Sequence, residues 1–174
     1  VGESGCGKTT LARCLIRAIS PDEGTIVFSS SSGLINFHDM SERDLLPYRR
    51  EIQLVFQDPF SSLNPHMTVR QLLEEPPIIH RITKRSMRLE KVKDILDRVQ
   101  LSVNSLTRYP NSFSGGERQR ICIARALILN PRLVILDEPV AALDLSVQAQ
   151  IINLLEQLQH EFGLSYLFIA HDLS

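Results

Sequence analysis

Several features that would restrict the function by composition alone are missing from this chain. Its 174 residues include only three cysteines, an odd number without metal-ligand spacing, which argues against a disulfide framework and favours reduced thiols in the cytosol. The formal net charge is -1, so composition offers no electrostatic case for binding nucleic acid. No apolar run approaches the roughly 20 residues of a membrane-spanning helix. A role at a membrane would therefore need partner subunits.

Apolar periodicity predicts one α/β domain with an inserted helical region. Residues 133–136 form a continuous apolar run, typical of a strand buried on both faces of a parallel sheet. The other predicted strands are residues 25–28, 34–37, 52–56 and 166–170, with the serine run 29–32 as a hairpin loop. The first predicted helix is residues 7–19, with Leu11, Leu15 and Ile19 on one face. Further helices are predicted at residues 88–101, after residue 116, and from a cap at Ser146 to Phe162. Residues 57–65 and 107–113 are predicted to be loops.

A phosphate-binding loop stands at one end of the chain. Residues 2–9, GESGCGKT, match the pattern G-x-x-x-x-G-K-[ST] in full. The glycines let successive backbone N–H groups face phosphates, Lys8 supplies a positive charge, and the Thr9 hydroxyl can reach Mg²⁺. A chance glycine-rich turn is the alternative, but an apolar-faced helix follows at once, as the mechanism requires. The predicted nucleotide-binding residues are Gly2, Glu3, Ser4, Gly5, Cys6, Gly7, Lys8, Thr9 and Thr10.

A second phosphate cradle lies far along the chain. In the run 112–120, SFSGGERQR, Ser114, Gly115 and Gly116 open an apolar-periodic helix, and a helix N-terminus attracts anions. One nucleotide does not need two such cradles from one subunit. This segment therefore makes sense as half of a site that another molecule completes.

Two carboxylates end the predicted central strand. Asp137 and Glu138 follow residues 133–136, and nucleotides bind at the carboxyl edge of such sheets. Alternatively, the two carboxylates could simply be solvated residues at the end of a strand. The presence of Lys8 and Thr9 favours the nucleotide site over this alternative.

The combination of these motifs resembles the ATP-binding cassette (ABC) family. The resemblance implies a P-loop NTPase core, residues 1–57 and 131–174, with a helical subdomain at about 58–130, and a chain that is truncated at both ends. It also implies ATP and Mg²⁺ as cofactors, with Thr9, Gln57 and Asp137 at the metal. Glu138 would be the general base, with Gln57 and His171 as further catalytic residues. Residues 114–117 would act on the ATP of a second nucleotide-binding subunit, and Asp144 would couple the two sites.

The signature departs from the family pattern Leu-Ser-Gly-Gly-Gln at two places. Phe113 replaces leucine and keeps an apolar anchor. Glu117 replaces glutamine and adds a negative charge in the first turn of a helix, where the helix dipole is favourable but a phosphate would repel it. We expect modest kinetic tuning rather than inactivity.

Three longer stretches are similar to the ATPase subunits of dipeptide and oligopeptide importers. They are GESGCGKTT, QDPFSSLNPHMTV and DEPVAALDLSVQAQI. The resemblance implies ATP-driven peptide import at the cytoplasmic face of a bacterial or archaeal membrane. Its partners would be permease subunits, whose coupling helix would dock near residues 57–101, and an extracellular solute-binding protein. Importers of nickel or another small solute are an alternative, and non-transport ABC ATPases of translation or DNA are another. Since acidic residues interrupt the basic cluster at 81–93, we expect a solvated helix face there and no nucleic acid.

Overall fold

The computed structural model describes residues 2–3, 5–81 and 84–170. In chain order, the elements of this part are α1 (Lys8–Leu15), β1 (Val27–Ser30), β2 (Gly33–Asn36), α2 (Glu42–Arg49), β3 (Ile52–Val55), α3 (Pro59–Ser62), α4 (Val69–Ile79), α5 (Arg85–Arg98), α6 (Gly115–Leu127), β4 (Leu133–Asp137), α7 (Leu145–Phe162) and β5 (Ser165–Ile169). Two 3-10 turns, Val103–Thr107 and Pro110–Ser112, lie between α5 and α6. Within these described ranges, no helix combines the length and apolar character needed to cross a membrane.

Three parallel strands organise the chain, in the order β3, β4, β5. Leu54 pairs with Ile135, and Ile135 pairs with Leu167. Parallel neighbours require crossover connections, which α3 to α6 supply between β3 and β4, and α7 supplies between β4 and β5. β1 and β2 form a separate antiparallel hairpin. The predicted α/β class with a parallel sheet is confirmed.

Strand β4 is buried on both faces, as its continuous apolar run predicts. Ile135 is 0% exposed and belongs to a small cluster with Ala12 of α1. Val134 and Leu136 belong to the larger cluster, which includes residues of α4, α5, α6 and α7. Burial of such side chains contributes roughly 1.5–3 kcal/mol each. The end of β4 is therefore held between two helical layers.

The prediction for α1 was wrong about its end and its buried face. Leu11 is 57% exposed and Ile19 is 40% exposed, whereas Ala12 is fully buried. The helix ends at Leu15 because Arg17 has a left-handed φ of 55° and the next N–H groups turn back to the carbonyl of Arg13. A small residue therefore faces the sheet, which lets α1 lie close to β4.

The predicted cap of α7 was also wrong. Asp144, with an extended backbone at φ -64° and ψ 149°, is the N-cap, and Ser146 lies in the first turn. The carbonyl of Asp144 accepts the N–H groups of Val147 and Gln148 at 2.9 and 2.8 Å. Backbone geometry, rather than a serine side chain, sets where this helix begins.

Other differences concern segments whose local signals conflict. Ser29 and Ser30 pair within the hairpin, so its loop is shorter than the predicted residues 29–32. Helix α3 lies inside the predicted loop 57–65, capped by the Asp58 carboxylate. Helices α2 and α4 were not predicted, and α4 contains Pro76 and Pro77, residues that normally end helices.

Candidate functional site

The phosphate loop leads directly into α1. Gly5 and Gly7 have φ of 81° and 93°, a left-handed conformation that costs glycine little. Gly7 is the N-cap of α1, and the first-turn N–H groups of a helix have no partner within it. The segment thus has the backbone form of an anion cradle, with Ser4 outside the described residues.

Lys8 connects this loop with the end of β4. Its Nζ donates to the carbonyl of Gly2 and, at 3.0 Å, to that of Glu3. The same Nζ lies 3.4 Å from Oε1 of Glu138, and the two side chains are only 12% and 13% exposed. Salt screens such a pair less than it would a surface pair. The structure therefore joins the lysine of one predicted motif to a carboxylate of another.

Glu138 is held from two further sides. Nε2 of Gln57, just beyond β3, donates to its Oε2 at 2.6 Å. The Glu138 N–H donates to the carbonyl of Ile169 at the end of β5, at 2.9 Å. Glu138 also has a φ of 47°, and a non-glycine residue in this region costs on the order of 1–3 kcal/mol. The surrounding contacts maintain a strained backbone that fixes the carboxylate.

Asp137 provides a buried negative charge beside this group. It is 2% exposed, and within the described residues its Oδ1 has no hydrogen-bond partner. It lines a cavity of about 430 Å³ together with Thr9, Arg13 and Gln57. A carboxylate, a hydroxyl and an amide oxygen are the ligands that Mg²⁺ prefers, and a buried carboxylate is costly unless paired. These residues therefore fit a magnesium ion.

Ser114 and Glu117 cap α6 reciprocally. The Ser114 N–H and hydroxyl each donate to Oε2 of Glu117 at 2.8 Å, and the Glu117 N–H donates to the Ser114 hydroxyl at 3.4 Å. The hydrogen bond from the Ser114 N–H lowers the pKa of Glu117 most, followed by that from its hydroxyl and by the charges of Arg108 and Arg120. The capping box was not foreseen, although serine followed three residues later by glutamate is its sequence signal.

Two arginines clamp the segment before α6. The Arg108 guanidinium lies 4.1 Å from the centre of the Phe113 ring and donates to the carbonyl of Ser112. The Arg118 guanidinium lies 4.2 Å from the Phe60 ring and donates to the carbonyl of Phe113 at 3.0 Å. Phe113 is 5% exposed, which confirms the expected apolar anchor. Sequence reasoning missed these arginines because no sequence motif marks the local contacts with Phe113, and Arg118 and Phe60 lie far apart in the chain.

The other predicted site residues lie apart from this group. Within the described part of the chain, the hydrogen bonds of Ser114 run to Glu117 and Arg118, and none reaches the phosphate loop. Asp144 is exposed at the start of α7, and Leu145 beside it is 84% exposed. His171 lies outside the described residues.

A second cavity of about 460 Å³ lies beside β3, between α4 and α6. Its lining includes Phe56, Ile79, His80, Cys122 and Arg125. Burial, with a smaller contribution from Arg50, lowers the pKa of His80, so the imidazole is neutral at pH 7. Burial also raises the pKa of Cys122 to about 12. The groove is thus mainly apolar, with Arg49, Arg125 and Glu75 also in its lining.

A family model described as "ABC transporter" matches residues 1–141. The chain is 54% identical over 175 residues to the oligopeptide transport ATP-binding protein AppF of Bacillus subtilis (strain 168), and 51% identical to the putative oligopeptide transport ATP-binding protein YkfD of the same organism. Both alignments cover 100% of this chain and 52% of the relative. The chain therefore spans about half the length of these curated relatives.

Solved structures give the same result. The chain superposes with a TM-score of 0.84 on the dimeric ATP-binding cassette MJ0796, bound to ADP and Pi in a post-hydrolysis state. The two are 31% identical, and the match covers 99% of this chain and 73% of that one. This likeness confirms the predicted P-loop NTPase fold of the cassette type.

Proposed function

The chain belongs to the ABC transporter family, and we propose that it binds and hydrolyses ATP to energise the import of peptides across the cytoplasmic membrane. The observation that carries this proposal is the convergence of Lys8, Gln57 and Glu138 beside the buried Asp137. Three distant segments supply a cation, an amide and two carboxylates at the carboxyl edge of the sheet, where α/β proteins bind nucleotides.

ATP binding falls to the phosphate loop. The N–H groups of residues 2–10 cradle the phosphates, and Lys8 leaves the Gly2 and Glu3 carbonyls to pair with phosphate oxygens. Thr9, Gln57 and Asp137 hold Mg²⁺, which when bound neutralises the charge that develops on the phosphate oxygens. The pairing of Asp137 with this ion offsets the cost of burying an unpaired carboxylate.

Hydrolysis depends on Glu138. Its carboxylate, oriented by Gln57, accepts a proton from the attacking water as general base. Once Lys8 engages a phosphate, one oxygen of Glu138 is free for that water. For His171, which lies outside the described residues, the family resemblance supports a role as hydrogen-bond donor to the γ-phosphate.

A second nucleotide-binding subunit completes each site. Residues 114–117 present a capped helix N-terminus to the partner's ATP, and Asp144 couples the two sites across the interface. The exposure of Ser114, Asp144 and Leu145 supports an interface on this side.

Permease subunits dock in the groove beside β3. Its apolar lining, with Phe56 and Ile79 exposed by 43% and 58%, suits an amphipathic helix of a partner. Because Phe56 directly precedes Gln57, a helix that contacts Phe56 would bind next to a residue of the nucleotide site. Residues 58–130 then act as a helical subdomain on a core of residues 1–57 and 131–174, at the cytoplasmic face of the membrane. A solute-binding protein would deliver the peptide.

The test is Glu138→Gln in the intact subunit, assembled with the permease subunits of its transporter in proteoliposomes. We expect hydrolysis and uptake of a labelled oligopeptide to fall by roughly 10²–10⁴-fold while ATP binding persists. The matched control is Glu156→Gln, at an exposed position of α7. Hydrolysis by Glu138→Gln at the wild-type rate would contradict the catalytic proposal. Uptake of Ni²⁺ instead of peptide would contradict only the proposal that the substrate is a peptide.

A further inference from the structure

The two glycines that open α6 lie against the segment that follows β4. A Cβ atom built on Gly116 would lie 2.6 Å from Cγ1 of Val147, and one built on Gly115 would lie 3.2 Å from Cδ2 of Leu143. Real Cβ atoms essentially never make contacts shorter than 3.0 Å. Helix α6 therefore lies so close to Val147 that a Cβ atom at position 116 would force Val147 or the start of α6 to shift.

Backbone conformation does not explain these glycines. Neither Gly115 nor Gly116 has a positive φ. Both lie inside α6, where glycine is less favourable than alanine. Helix propensity alone would select alanine. Within this chain, the close approach of Val147 accounts for the glycine at position 116.

The segment that contacts Gly116 is connected to Glu138. The N–H of Ala141 donates to the Glu138 carbonyl at 3.2 Å. The Leu143 carbonyl accepts a hydrogen bond from Nε2 of Gln148 at 2.9 Å, which joins the segment to the first turns of α7. Hydrogen bonds thus join this segment to the candidate base and to α7, and its side chains Leu143 and Val147 pack against the start of α6.

We infer that Val147 is a positioning residue: its side chain, packed on Gly116, sets where residues 114–116 stand and so aligns them for the partner's ATP. Leu143 supports it, less strictly, because its contact is longer and made by the end of a flexible side chain. The inference rests on the proposed function of residues 114–116. The absence of a side chain at these glycines would then allow two close contacts, with the partner's phosphate on one side and with Val147 on the other.

A double-mutant cycle in the intact transporter separates these two contacts. Gly116→Ala alone places a methyl against Val147 and displaces the start of α6, so we expect kcat for ATP to fall by roughly 10–100-fold. Val147→Ala removes both γ-methyls and leaves its Cβ 4.0 Å from the new methyl, an ordinary contact. The double variant Gly116→Ala/Val147→Ala should therefore recover at least roughly tenfold of the lost rate.

The control pairs Gly116→Ala with Val27→Ala, at a position that is 61% exposed on the hairpin, and this pair should show no recovery. ATP binding to the hydrolysis-blocked monomer should be unchanged in every variant, because residues 114–116 do not touch the subunit's own ATP. The extent of ATP-driven dimerisation should change in parallel with kcat across the variants. A general structural defect would change both measurements.

A second variant approaches the contact from the other side. Val147→Leu lengthens the side chain toward Gly116 and should lower kcat without any change at position 116, even if Gly116→Ala does not fold. The inference is overturned if Val147→Ala gives no recovery, because the glycine would then serve only the partner's phosphate. It is also overturned if Val147→Leu behaves as wild type. An inactive wild type would instead refute the proposed function.

Discussion

Replacement of Glu117 by glutamine restores the usual family residue and tests how the cap of α6 influences ATP use. In this chain, Oε2 of Glu117 accepts both the N–H and the hydroxyl of Ser114 at 2.8 Å. A glutamine oxygen can accept the same two hydrogen bonds but carries no charge. Hydrogen bonds to an ionised acceptor are about twice as strong as neutral ones.

The stability effect follows from the exposure of this cap. An N-terminal cap contributes about 1 kcal/mol, and solvent screening reduces the part due to charge because Ser114 is exposed and Glu117 half-buried. Glu117→Gln should therefore cost about 0.5 kcal/mol, a decrease in Tm of roughly 1–2 °C for a domain of this size.

Whereas Glu117→Gln should lower the stability of the fold, it should improve the apparent affinity for ATP. To donate to the partner's phosphate, the Ser114 hydroxyl would have to turn away from Glu117, and a neutral acceptor would release it more easily. Removal of the carboxylate also removes repulsion of that phosphate. A gain of about 1 kcal/mol corresponds to a KM for ATP that is roughly fivefold lower.

The pH dependence separates the cap from other effects. Because hydrogen bonds from Ser114 lower the pKa of Glu117 in the folded state, the ionised form stabilises the fold. This contribution is complete above the pKa of the unfolded carboxyl and is lost as pH falls through the lower folded value. The Tm difference between wild type and Glu117→Gln should therefore vanish in acid.

The assays are thermal melting from pH 3 to pH 7 and steady-state ATPase of the assembled transporter. Glu156→Gln, which removes an exposed carboxylate elsewhere, should change neither Tm nor KM. A KM for Glu117→Gln equal to or higher than that of wild type would refute the reasoning about the Ser114 hydroxyl. A Tm difference that does not depend on pH would refute the role of the charge.

Three further predictions concern other parts of the chain. Asp137→Asn should raise Tm in Mg²⁺-free buffer, because it removes a buried charge whose Oδ1 is unpaired within the described residues, yet abolish ATPase; a lower Tm would contradict this. Phe60→Leu should cost about 0.5–1 kcal/mol of unfolding free energy through loss of the Arg118 contact, and an unchanged denaturation midpoint would argue against that contact. Ile135→Ala, at 0% exposure in β4, should cost roughly 2–5 kcal/mol, whereas Val103→Ala at the surface should stay within about 0.5 kcal/mol.

Elements with a strong local pattern could be predicted from the sequence. The apolar run of β4 and the apolar stripe of α5 produced the right element types, and the longer motifs indicated the family that the comparisons confirm. Helix α4 was missed because tertiary packing overrides its two prolines. The buried face of α1 was misjudged because the sheet lies so close that Ala12, rather than Leu11, fits against it.

The candidate site divides in the same way. The phosphate loop, Asp137 with Glu138, and residues 114–117 could be found by sequence because each is a short motif whose chemistry depends on neighbouring residues. Their catalytic roles stay predictions. The hydrogen bond from Gln57 to Glu138 and the contact of Gly116 with Val147 join residues far apart in the chain.

Short motifs encode the chemical groups of the candidate site, because phosphate cradles and carboxylates at strand ends are formed by consecutive residues. Which of these groups come into contact depends on the packing of the sheet and helices. The parallel sheet brings the ends of β3, β4 and β5 to one edge, where Gln57 and Glu138 meet, and the packing of α6 on the start of α7 leaves no space at Gly116. Such contacts depend on distances between elements, which no local pattern specifies.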